Sequence, residues 1–127
     1  MKNQLFTQII ENYIQAYNQF DVEKMMADMH DNLKFENISD GVVTLAVEGI
    51  HARKNQAKQA VAILKERKQT ITNYKFNDHE VTVDIDFEGT LATDLPGGLK
   101  AGNRLDLKGK SIFNFVGNKI IYLGDIR

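Results

Sequence analysis

Plotted at the helical period, residues 3–20 place Leu5, Phe6, Ile9, Ile10, Tyr13, Ala16, Tyr17 and Phe20 on one face. Gln4, Gln8, Glu11, Asn12, Gln15, Asn18 and Gln19 fall on the other. A stripe this wide predicts an amphipathic helix packed on a core. The chain then breaks at Phe20-Asp21, where Asp21 is placed to cap a second helix by accepting from free backbone N–H groups. Val22, Met25, Met26 and Met29 form that helix's buried side. LKFENIS reads as a strand and VVTLAVE as its return. Between them, Asp40-Gly41 suits a type I′ hairpin turn, which needs positive φ at both central residues.

Gly49 leads out of the hairpin into a third helix over residues 51–68. Ala52, Ala57, Ala60, Val61, Ile63 and Leu64 face inward there, and Lys54, Lys58 and Lys65 face outward. Residues 70–76 are strand-like, and Asn77-Asp78 makes a turn. In the next strand, 80–93, Val81, Val83, Ile85 and Phe87 alternate with Thr82, Asp84, Asp86 and Glu88. A period of two means one buried and one solvated face. After the loop DLPGGLKAGN, strands over 104–116 and 119–126 close the chain around Gly117-Asn118. Helices and strands are segregated, so the class is α+β. The expected shape is a cone: a curved, mixed or antiparallel sheet wrapped around three N-terminal helices and enclosing a pocket. Residues 1–127 are expected to form a single domain.

Composition narrows the chemistry. There is no cysteine, which removes disulfides, thiolate zinc sites and cysteine nucleophiles. The net charge is −1 with no basic block, so a nucleic-acid partner is not expected. The N-terminus lacks the apolar run of a signal peptide, and no stretch is long enough to span a bilayer. A cytoplasmic protein with no membrane partner is the expectation. His30, His51 and His79 never share a helical face, so no metal site and no cofactor is expected. Asp84, Asp86 and Glu88 face Arg104, Lys108 and Lys110 across two strands, a pattern for ion pairing rather than cation binding.

Three segments then act together: YIQAYNQFDVEKMMADMHDNLKFEN, the glycine-led GIHARKNQAKQ, and the closing hairpin FNFVGNKIIYLGD. In this order, over nearly the whole chain, they resemble the nuclear transport factor 2-like superfamily. Within it they resemble the SnoaL-like group, which includes ketosteroid isomerase and polyketide cyclases. Ketosteroid isomerase uses a carboxylate base opposite an oxyanion hole built from a tyrosine and a protonated aspartic acid. The resemblance puts the tyrosine at Tyr13, the base at Asn37 and the acid at Ser111. An amide cannot take a proton from carbon at neutral pH, so that isomerase mechanism is not expected here. The resemblance also implies a homodimer formed through the sheet.

The candidate catalytic groups are therefore Tyr13, Asn37 and Asp125. Tyr13 reads either as a pocket donor or as a core tyrosine bonded to a backbone carbonyl. Asn37 reads as a ligand hydrogen-bonder or a partner of neighbouring backbone. Asp125 becomes an acid or base if its face of the last strand lines the cavity, because burial raises a carboxyl pKa. Its place near the terminus points instead to a solvated rim. Tyr17, Met26, Phe35, Phe87, Ser111 and Phe113 are the candidate ligand-binding residues. Three functions stay open: an isomerase-, cyclase- or dehydratase-type enzyme, a non-catalytic binder of a small, largely apolar carbonyl- or hydroxyl-bearing molecule, and a dimeric interaction module.

Overall fold

The computed structural model describes residues 2–127. The elements are α1 (Lys2–Asn18), α2 (Val22–Met25), β1 (Met29–Ser39), β2 (Val42–Glu48), α3 (Ile50–Val61), β3 (Leu64–Asn77), β4 (Glu80–Leu91), β5 (Arg104–Val116) and β6 (Lys119–Ile126). The strands form one six-stranded sheet in the order β2-β1-β6-β5-β4-β3. Neighbours are antiparallel except β1 and β6, which run parallel. The last strand thus enters between the first hairpin and the β3–β5 meander. Its Ile120 and Leu123 are among the least exposed side chains of the chain. α1 lies against β3, and α3 against β1 and β2.

The apolar stripe of α1 buries Phe6, Ile9, Ile10, Tyr13 and Ile14 against the sheet. Phe6 stacks on Phe115 with centroids 4.0 Å apart, and Tyr13 meets Phe113 edge-on at 5.9 Å. Each fully buried side chain of this size contributes about 1.5–3 kcal/mol of transfer free energy. The first hairpin turns on Asp40 at φ 52° and Gly41 at φ 78°, the positive values a type I′ turn demands. Gly49, at φ 89°, caps α3 and donates to the Leu33 carbonyl at 2.7 Å, which ties the helix to β1. On the outer sheet face, Lys108 pairs with Asp86 at 2.9 Å, Lys110 with Asp84 at 3.4 Å and Arg104 with Glu88 at 3.3 Å.

Two expected helices are shorter. α2 is one turn, and Met29 opens β1 rather than closing the helix. α3 stops at Val61, and the expected helical stretch to residue 68 is instead the start of β3, with Leu64 paired to Leu91. The sequence AILKERKQ holds no glycine or proline and is rich in helix formers, so local propensity favours helix. Backbone pairing along β4 outweighs it. The change of period matters for the site, because it turns Arg67 and Gln69 inward on alternate positions.

Candidate active site

A cavity of about 210 Å³ lies between α3, the start of β3 and the inner face of β1, β6 and β4. Phe35, Phe87, Leu91 and Leu105 supply its apolar wall. Asn37, Arg53, Arg67 and Asp125 bring polar groups to it. Wider hollows run along α1 and around α2, and neither arginine nor Asp125 lines them.

Strand register builds one half of the site. Asn37 on β1 is paired with Asp125 on β6, and Asp125 is paired with Ser111 on β5. The three side chains form a row across adjacent strands. Ser111 Oγ donates to Asp125 Oδ1 at 2.7 Å, and among the described residues it is the only donor on that carboxylate. Asp125 is not at a solvated rim: it lines the cavity and is only partly exposed. Burial pushes its pKa above the ordinary carboxylate value, opposed in turn by the Ser111 hydrogen bond and by the charges of Arg53 and Arg127.

Two arginines build the other half. Arg53 on α3 is 3% exposed and Arg67 on β3 is 6% exposed. Arg53 Nη2 donates to the Tyr13 hydroxyl at 2.6 Å, and Nη1 donates to Gln56 Oε1. Its guanidinium lies 3.8 Å over the Phe35 ring, and its Nε is buried with no acceptor. Arg67 Nε donates to the Tyr17 carbonyl at 2.7 Å. Its guanidinium stacks on Tyr17 at 3.8 Å and Phe20 at 4.4 Å. Phe20 holds a left-handed backbone at φ 58°, uncommon for a bulky residue, which swings its ring under Arg67. Burial holds the Arg67 pKa below its ordinary value. Neither guanidinium has a carboxylate within 4 Å among the described residues.

The expected site residues separate into groups. Tyr17, Phe35, Phe87, Asn37 and Asp125 line the cavity, and Ser111 stands behind Asp125. Tyr13 does not line it. Its hydroxyl, pushed up to about 12 chiefly by burial, stays neutral and supports Arg53 from the core side. Met26 and Phe113 are packed in the core, away from the cavity. The arginines are what sequence reasoning missed. Arg53 stands one helical turn before Ala57 on the inner face, so its spacing carried a signal. Arg67 lay in the stretch read as helix, where a charged run passes for a solvated face. No cluster of metal-holding side chains occurs among the described residues. No helix there is long and apolar enough to cross a membrane.

The model of the SnoaL-like domain matches residues 10–123, so the chain belongs to that family. A candidate polyketide cyclase from Xanthomonas campestris superposes with a TM-score of 0.84 at 19% identity, covering 98% of this chain and 90% of its own. TerC, co-crystallised with polyporic acid, gives 0.76 at 15% identity, covering 94% and 88%. A protein of ketosteroid isomerase-like fold from Catenulispora acidiphila, in complex with trimethylamine, gives 0.75 at 13%, covering 92% and 82%. At these identities the likeness establishes the fold. No curated protein matches the chain in sequence.

Proposed function

We propose that this protein is an acid–base enzyme of the SnoaL-like family, acting on a small ring-bearing carbonyl compound, with Asp125 as the proton acceptor. The observation that carries the reading is the position of Asp125: a carboxylate in the cavity wall, held through one oxygen by Ser111. The hydroxyl fixes the carboxylate's orientation and leaves Oδ2 free of protein donors. Burial makes the group a stronger base than a solvated carboxylate. In the proposed step Asp125 takes a proton from the carbon next to the carbonyl. The C–H electrons form the enolate double bond, and the carbonyl electrons move onto oxygen. The Asn37 side-chain amide, in the same row, supplies a donor for that oxygen. The proton then returns to carbon, at the same or a neighbouring position.

TerC was co-crystallised with polyporic acid and the Catenulispora protein is in complex with trimethylamine, so relatives of this fold are found with small organic molecules. That likeness supports a small-molecule site and leaves the reaction to this chain's own residues.

The test is proton exchange in D2O, followed by proton NMR, over a panel of ring ketones and β-keto acids. The reading expects wild-type protein to speed loss of the α-proton signal of at least one compound, and Asp125→Asn to abolish the gain. Equal rates for wild type and Asp125→Asn across the panel would remove catalysis and leave the non-catalytic binding function.

A further inference from the structure

The two arginines are an electrostatic problem in the free protein. A buried ion is destabilising unless it is paired. Arg53 and Arg67 are both more than nine-tenths buried and both border the cavity. Their protein partners are neutral: a tyrosine hydroxyl, an amide oxygen, a backbone carbonyl and, at 3.7 Å, the sulfur of Met25. Two buried guanidiniums, with the exposed Arg127 also on the cavity lining, face the single carboxylate of Asp125, so positive charge is in excess. The stacking geometry matters too. Phe35 covers a flat face of Arg53, and Tyr17 and Phe20 border Arg67 in the same way. Arg53 Nε has no acceptor and Arg67 Nη1 makes no hydrogen bond to the described residues, and in-plane N–H groups of this kind are the ones that bind a carboxylate.

The apolar wall sets the rest of the ligand. Phe87, Leu91 and Leu105 form one side, with Ile63 and Leu64 at the entrance to β3. A dry cavity of roughly 150 Å³ holds benzene. At about 210 Å³ this one has room for a ring with one or two substituents.

From the unpaired guanidiniums and the apolar wall beside them, we infer that the ligand is an anion: a small ring-bearing carboxylic acid whose carboxylate docks on Arg53 and Arg67. This adds a charge to the largely apolar, carbonyl- or hydroxyl-bearing molecule that the sequence suggests. A carboxylate on the ligand supplies the counter-charge that the two buried guanidiniums lack. The inference rests on the cavity being a small-molecule site, and it does not need Asp125 to be a base.

The test is titration of the wild-type protein with sodium benzoate and 2-naphthoate against their amides, benzamide and 2-naphthamide, by thermal shift and calorimetry. At least one acid is expected to bind on the order of tenfold or more tightly than its amide. Arg53→Met and Arg67→Gln are each expected to remove that preference. Equal binding of acid and amide overturns the inference and leaves the cavity as a small-molecule site. No binding by any of the four overturns both. If either variant fails to fold, the wild-type comparison of acid with amide still decides.

Discussion

Asn37 and Asp125 are register partners on the parallel pair β1 and β6. The position that the resemblance gives to a carboxylate base holds an amide, and the carboxylate stands one strand over. It also stands between Asn37 and Ser111, the two positions where the isomerase pattern places its ionisable groups. One acid in the middle of the row replaces two at its ends.

Replacing that acid should make the free protein more stable at neutral pH. Burial raises the folded-state pKa of Asp125, so between the unfolded and folded values the native state holds more protons. Stability therefore falls as pH rises through that window. Asp125→Asn is expected to melt above wild type at pH 7, with the difference closing as pH drops below the ordinary carboxyl range. Thermal melts of both proteins from pH 3 to 8 check this, and a constant offset at all pH values contradicts it.

Ser111→Ala should act on the same group in the opposite sense. The Ser111 hydrogen bond favours the ionised form of Asp125 and lowers its pKa. Without it the carboxyl should titrate higher, and the acidic limb of any pH–rate profile should move up. The lost bond should cost about 1 kcal/mol of stability by urea unfolding.

Tyr13 and Arg53 should behave as one unit. Tyr13→Phe removes the acceptor of a buried guanidinium and is expected to cost about 1–3 kcal/mol. In an Arg53→Met background the same change should cost close to nothing, because the demand for an acceptor is gone. A double-mutant cycle measures the coupling. Arg53→Met alone should hold or raise stability while losing carboxylate binding, since an uncompensated buried charge is replaced by a side chain of similar volume.

Phe113→Ala should unfold or nearly unfold the protein. The ring is fully buried in the core under Tyr13, and large-to-alanine changes of this kind cost about 3–5 kcal/mol. Phe87→Ala, at the cavity wall, should cost less, because the space it leaves joins one already present. Chemical denaturation of the two variants separates a core residue from a pocket residue.

The sequence made the sheet legible where its period was clean. The alternation from Val81 to Phe87 fixed β4, Asp40-Gly41 fixed the hairpin, and the apolar stripe of α1 named most of its buried side chains. It misled where local propensity and tertiary pairing disagree. Residues 64–68 favour helix alone and become strand only because β4 is beside them. That one reversal hid Arg67, since strand alternation is what turns it inward. Asp125 was visible as a residue but not as a buried one. Its burial comes from β6 being inserted between β1 and β5, a parallel pairing between distant segments that no local pattern encodes.

The most direct measurement is the titration of the Asp125 carboxyl itself, followed by carbon NMR on protein labelled at the aspartate carboxyl carbon and assigned with Asp125→Asn. A midpoint clearly above the ordinary aspartate value of about 3.9 is predicted, rising further in Ser111→Ala. A midpoint at or below that value, unmoved by Ser111→Ala, would contradict a buried cavity acid.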